Sequence, residues 1–354
     1  MGTIHQPMGI DRMPDAMIDT SSTPRRVSGP NWRFVLRFQS YFVLLALLVV
    51  AALLSPERNG QNVFLASRNL LNIIRFASEN GIIAIGMTLV ILTGGIDLSV
   101  GAVLALCAVG SAASMMRYDF DLPMTILFVL AIGTTAGLIN GVITTRLRLQ
   151  SFITTLAMLS VARGIASLWS DGYAIPIAYG DGPDLAPPRY RDLFAGHIDV
   201  FGLEIPVQVI YFLGIAVIVA LVLARTRFGR HVYAVGGNET AARLSGVNVS
   251  TVKIAVFAIT GFLVGIAALL HSALVSQGSH IDGNGYELNA IAAVVIGGTS
   301  LAGGVGTIAG TVIGALILQI LDNILGLRNV QSEYQAILKG VIIVVAVVLQ
   351  RQRR

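Results

Sequence analysis

The chain alternates long apolar runs with short polar breaks. Apolar runs of roughly 15–22 residues recur from Phe38 to Leu349, close to the roughly 20 that an α-helix needs to cross the hydrocarbon layer of a bilayer. They predict helices over Phe38–Leu54, Ile82–Thr93, Leu98–Met116, Met124–Ile143, Phe152–Trp169, Val207–Ala224, Ile254–Leu274, Leu288–Ile296, Gly304–Leu321 and Glu333–Leu349. No break is long enough for a water-soluble core, so residues 38–350 read as one all-α integral membrane domain of about ten crossings. The second and eighth runs are short and lead into glycine pairs, Gly94-Gly95 and Gly297-Gly298. Irregular backbone at membrane depth is tolerated only where protein or water satisfies it, so such segments mark discontinuous helices beside a transport path. A shift of their ends by a few residues gives ordinary helices instead, and eight crossings also fit the pattern.

Composition agrees: 55% of the 354 residues are hydrophobic and 12% charged, at a mean hydropathy of +0.76, whereas a soluble domain carries about a quarter charged residues. The net charge of +5 does not point to nucleic acid, because the basic residues form no stripe or face. They cluster in the tail (Arg25, Arg26, Arg33, Arg37), in one break (Arg146, Arg148), in another (Arg225, Arg227, Arg230, Arg243, Lys253) and at the end (Arg351, Arg353, Arg354). The positive-inside rule places all four on the cytoplasmic side, both termini included. The acidic stretch with Asp171, Asp181, Asp184, Asp192, Asp199 and Glu204 then lies outside. Cys107 is the one cysteine, so no intrachain disulfide can form. The tail 1–37 is too long and polar for a signal-peptide n-region, which makes Phe38–Leu54 an uncleaved first helix; its proline content predicts disorder. Residues 351–354 form a short basic end.

Glycine spacing hints at internal symmetry. Gly133, Gly137 and Gly141 in the fourth run recur at the spacing of Gly306, Gly310 and Gly314 in the ninth, each giving a smooth helix face that permits close backbone approach. If runs two to five match runs seven to ten, paired helices run in opposite directions, an inverted repeat of the transporter kind. With 38 glycines in the chain, coincidence gives the same spacing.

Few polar residues interrupt the runs. Asp97, followed by Ser99, stands where one run ends and the next begins. It fits a helix N-cap, where a carboxylate satisfies free N–H groups and the helix dipole; a place on the pathway is the other reading. Arg163, deep in the fifth run, either snorkels to the outer interface beside Trp169 or faces the pathway. Asn140 lies in a glycine stripe and suits an interhelical hydrogen bond. His271 reads as a lone histidine with no role. In the basic break 225–253, Glu239–Ser245 favours a short helix with Asn238 as N-cap and Gly246 just past its end. Too short to stand alone, such a helix suits docking into a partner's groove. The chain carries no Gly-x-x-x-x-Gly-Lys-[Ser/Thr] loop, no His-Glu-x-x-His and no Gly-x-Ser-x-Gly, and so no ATP site or hydrolase motif of its own.

Three stretches in order resemble the sugar-importer permeases of the ATP-binding cassette class, of the ribose, xylose and arabinose type: Gly86–Gly101, Phe228–Gly246 and Ile291–Gly306, within a similarity running from about Asn69 to Leu349. The resemblance implies a monosaccharide permease in the bacterial inner membrane, two permease subunits (alike or different), two cytoplasmic ATPase domains that hold the ATP and Mg, and a periplasmic sugar-binding protein. It also implies that Glu239, Ala241, Ala242 and Gly246 form a coupling helix seated in the ATPase; Thr240 departs from the family's Glu-Ala-Ala motif. The outer stretch from Asp171 to Glu204 would receive the binding protein. An ion-coupled secondary transporter would share short broken helices but needs several interior carboxylates, and the reading of the runs supplies only Asp97. An intramembrane enzyme lacks any nucleophile–base or metal arrangement.

Overall fold

The computed structural model describes residues 2–3, 39–58, 60–180 and 185–351. In chain order its helices are α1 (Gln39–Leu54), α2 (Ser67–Leu92), α3 (Val100–Met116), α4 (Leu122–Arg146), α5 (Ser151–Trp169), α6 (Pro188–Ala195), α7 (Val207–Arg225), α8 (Arg227–Gly237), α9 (Glu239–Leu244), α10 (Val249–Val275), α11 (Tyr286–Ile296), α12 (Ile308–Leu327) and α13 (Ser332–Arg351). Three antiparallel two-stranded ribbons join them: β1 (Glu57–Arg58) with β2 (Gln61–Asn62), β3 (Ile175–Pro176) with β6 (Gln277–Gly278), and β4 (His197–Val200) with β5 (Leu203–Pro206). The tail 1–37, apart from Gly2 and Thr3, lies outside the described residues, as do Phe38, Asp181, Asp184, Arg353 and Arg354.

Among the described residues α2, α4, α5, α7, α10 and α12 are long and apolar enough to cross a bilayer, and α1, α3 and α11 are shorter apolar helices. Burial sorts them. The most apolar stretch of α2 is 78% buried and that of α10 67%, against 22% for α5 and 39% for α7, so α2 and α10 form the centre with α3, and α5 and α7 the perimeter. A helix apolar on all sides belongs inside, and every residue from Gly81 to Leu92 of α2 is buried. Hydroxyls join the central helices: Thr88 of α2 lies 2.7 Å from Thr311 of α12, and Thr260 of α10 donates to the Gly86 carbonyl at 3.0 Å.

The glycine stripe of α4 lies on α10. A methyl group at Gly133 would meet the Gly261 carbonyl, at Gly137 the Phe257 carbonyl and at Gly141 the Ile254 backbone, so the two backbones approach as only a side-chain-free surface allows. Gly310 and Gly314 abut the carbonyls of Gly297 and Ala293 at the end of α11. Gly306 departs from the expected helix face: α12 begins at Ile308, capped by the Thr307 hydroxyl, which accepts the Gly310 N–H, and Gly306 precedes it in the loop beside Thr299.

Two more expectations change. The second run is no short broken helix but the second half of α2, 26 residues long; Arg68, Asn69, Asn72, Arg75, Ser78, Glu79 and Asn80 hid its first half. Several of these find partners: Asn69 bonds Asn323 at 2.9 Å, and Ser78 donates to the Ile74 carbonyl at 2.7 Å. The eighth run is the 11-residue α11, which ends at Gly297 and leaves Gly298 at φ +92°.

Candidate functional site

At one end of the bundle the break 225–253 is almost wholly helical. Thr226 caps α8 by accepting the Gly229 N–H, and Asn238 caps α9 by accepting the Ala241 N–H at 2.9 Å. Past Leu244 the chain turns at Gly246, φ +84°, where the Val247 N–H returns to the Ala242 carbonyl at 3.0 Å; that left-handed position is the one glycine takes without steric cost. Helix α8, which the apolar pattern did not show, is fixed at its far end: the Tyr233 hydroxyl donates to the Gly306 carbonyl at 2.9 Å, and Gly236 abuts the Leu92 carbonyl and the Gly304 amide. Gly304 N–H itself donates to Leu92 O at 3.0 Å. The end of α2, the loop before α12 and α8 thus meet at one joint with no side chain between them.

The four residues expected in a coupling helix fall on different sides of α9. Ala241 and Gly246 are exposed and Ala242 is buried. Glu239 is held between Arg243 at 2.9 Å and Lys253 of α10 at 2.6 Å; these partners, Lys253 foremost, keep its carboxyl below the usual carboxylate range. Leu244, 86% exposed, is the large apolar side chain this face presents, and an isolated exposed leucine at a helix end is what single-residue reading passes over. A cavity of about 870 Å³ opens on the Glu239 side of α9, lined by Thr93, Gly95, Arg146, Ser151, Glu239 and Lys253 among others.

Behind that cavity the chain from Thr93 to Ser99 is irregular, and side chains satisfy it. Ser151 accepts the Ile96 N–H and Thr155 the Leu98 N–H, both at 3.0 Å, as non-helical backbone within a membrane protein requires. Asp97 is not the N-cap: that position is Ser99. Asp97 instead accepts the Ser99 N–H at 2.9 Å and hydroxyl at 2.6 Å, an Asx-type turn two residues ahead. Asn140 of α4 donates to the Ser99 hydroxyl at 2.9 Å, the interhelical bond expected of it. All three are buried.

The opposite end holds a cluster that the sequence reading missed. His271 of α10 is not alone: its Nδ1 lies 2.5 Å from Glu79 of α2 and its Nε2 3.5 Å from Asp282, with the Tyr286 ring edge-on at 6.4 Å. Arg163 does not reach to the interface beside Trp169; it donates to the carbonyls of His280 and, at 2.8 Å, Asp282, and clamps the same loop from α5. Buried acids are therefore more numerous than Asp97. A carboxylate interrupting the apolar pattern at Glu79 was the available signal.

The sequence profile of the family described as "Branched-chain amino acid transport system / permease component" matches residues 69–347. The ribose import permease protein RbsC of Haemophilus influenzae is 43% identical over 316 residues, 89% of this chain and 93% of that protein. The protein of the same name from Escherichia coli K12 is 40% identical over 339 residues, 94% and 100% of the two chains. The L-arabinose ABC transporter permease protein AraH of Azospirillum brasilense is 33% identical over 356 residues, 100% and 98%. No solved structure matches. With a helical bundle that carries a capped, exposed helix at one end and a profile match along nearly its whole length, the chain belongs to this family of transport permeases, among the ribose, xylose and arabinose permeases of the ATP-binding cassette class.

Proposed function

We propose that the chain is the membrane subunit of an importer that carries a monosaccharide, driven by a separate cytoplasmic ATPase of the ATP-binding cassette class that holds ATP and Mg. The observation that carries the coupling is α9: it exposes Ala241, Leu244 and Gly246 to a partner while α8 ties it to the end of α2 and the loop before α12. ATP-driven closure of the ATPase pair would shift α9 and, through that joint, the central helices, a two-state change biased by differential binding. Ten crossings, α1 to α5, α7 and α10 to α13, place α8, α9 and both termini on the cytoplasmic side of the bacterial inner membrane, in keeping with Arg146, Arg148, Arg225, Arg227, Arg230 and Lys253 at that end. The inverted repeat is supported by corresponding contacts, α4 on α10 and α12 on α2. A second permease subunit completes the path, and a periplasmic sugar-binding protein meets the stretch 171–204 on its water-facing side.

Interior acids do not separate this reading from an ion-coupled transporter, since Glu79 is buried beside His271 and the Asp282 side chain is only 10% exposed; the exposed α9 does, because ion coupling needs no such helix. The double variant Glu239→Arg with Gly246→Trp, reconstituted with ATPase and binding protein, is expected to insert normally and hydrolyse ATP while losing uptake. Unchanged ATP-driven uptake, or uptake that follows an ion gradient without ATP, overturns the assignment.

A further inference from the structure

The β4–β5 hairpin has a register of His197↔Pro206, Ile198↔Ile205, Asp199↔Glu204 and Val200↔Leu203, closed by Phe201 and Gly202. Both loop residues have positive φ, +55° and +81°, the signature of the tight hairpin turn that favours Asn-Gly. A bulky side chain in that conformation is disfavoured by its own backbone. Phe201 is also 102% exposed, so no contact within the chain offsets that cost. Nor does the turn need it, because Asp199 already accepts the Gly202 N–H at 2.8 Å.

The register puts Ile198, Val200, Leu203 and Ile205 on one face and Asp199 and Glu204 on the other. Ile198, Val200 and Leu203 are exposed, so the apolar face has no covering. The base of the hairpin is fused to a membrane helix: Pro206 leads into α7, and the Val207 N–H donates to the Gly196 carbonyl at 3.1 Å. Helix α7 is a perimeter span whose exposed side carries Ile210, Leu213, Val217 and Leu221, so the hairpin adjoins a lipid-facing surface where that helix leaves the membrane. No Lys or Arg occurs between Arg191 and Arg225, so attraction to anionic headgroups is not the draw.

We infer that the β4–β5 hairpin is a membrane-interface anchor, with Phe201 and the Ile198–Val200–Leu203 face inserted at the headgroup–acyl boundary of the leaflet where α7 begins. Apolar side chains on one face with polar groups on the other are what an interfacial element requires, and burial in lipid gives the strained, fully exposed phenylalanine its compensation. The inference needs only that α7 crosses the bilayer, and its fate is separate from that of the ATPase coupling.

The test uses the full chain in phosphatidylcholine vesicles. The single cysteine, buried Cys107, is replaced by Ala, and a nitroxide is attached at Phe201→Cys, at Leu203→Cys with Phe201 intact, or at Glu204→Cys on the polar face. Collision with oxygen, which concentrates in lipid, is expected to exceed collision with a water-soluble nickel complex several-fold at 201 and 203, with the order reversed at 204. Adding phosphatidylglycerol should leave this pattern unchanged. Nickel accessibility at 201 and 203 equal to that at 204 would mean that the tip stands in water; low accessibility to both reagents would mean that protein covers it. Either result overturns the anchor.

Discussion

Helix α10 carries an ionic triad near each end, and the two are built oppositely. Near its start a carboxylate lies between two bases, Glu239 between Arg243 and Lys253, with side chains 42%, 64% and 22% exposed. About 27 Å along the axis, at 1.5 Å per residue, an imidazole lies between two acids, His271 between Glu79 and Asp282, with side chains 11%, 9% and 10% exposed. Exposed pairs contribute about 0–1 kcal/mol because water competes for both charges. Removing one partner of a buried pair costs about 3–5 kcal/mol, because the group left behind has no water to turn to. The difference gives α10 a fixed end and a releasable end: α2, α10 and the loop around Asp282 are tied as one body, while α9 rests on α10 through contacts that a partner's pull can undo.

The fixed end breaks most visibly with His271→Ala, which leaves the Glu79 and Asp282 carboxylates, 9% and 10% exposed, without the imidazole between them. A loss of about 3–5 kcal/mol in unfolding free energy is expected, read as a lowered melting temperature in lipid nanodiscs; an unchanged melting temperature would remove the distinction between the two ends. Replacing the whole cluster, Glu79→Leu with His271→Leu and Asp282→Asn, removes the stranded charges as well and is expected to fall within about 1 kcal/mol of the natural chain. A triple variant as unstable as the single one would mean that packing, not charge, holds this end. Smallest is Lys253→Met at the releasable end, expected to change stability by about 0–1 kcal/mol. Glu239 has a depressed pKa, so its contribution is present above the ordinary carboxylate value and lost as pH falls through the folded value. Acidification below about pH 4 should therefore loosen α9 in the natural chain and leave Lys253→Met less responsive, as followed by a spin label on α9.

What could be read from the chain alone depended on distance along it. The α9 cap was legible because Asn238, Glu239 and Gly246 lie within one short stretch and their roles are set by backbone geometry. The α4 stripe was legible as a packing face, although not that α10 would fill it. The Glu79–His271 contact joins residues 192 positions apart, and only the fold brings them together. The same residue concealed half of α2, since a buried acid with a partner looks, in an apolar pattern, like the end of a helix. Gly306 was misplaced because a three-residue coincidence of spacing ran past the Thr307 cap. Helix α8 went unseen because it is short and interrupted by Arg230 and His231, although Gly229, Val232 and Val235 fall at helical spacing on its buried side.

In this mechanism α9 moves while the His271 end stays fixed, and distances between paired spin labels measure this directly. In the permease reconstituted with the proposed ATPase, labels at Leu147 and Leu244, both exposed near α9, are compared with labels at Tyr173 and Ile281, both exposed at the opposite end. Trapping with ATP and vanadate is expected to shift the first distance and leave the second unchanged. A second distance that shifts while the first holds still would contradict it.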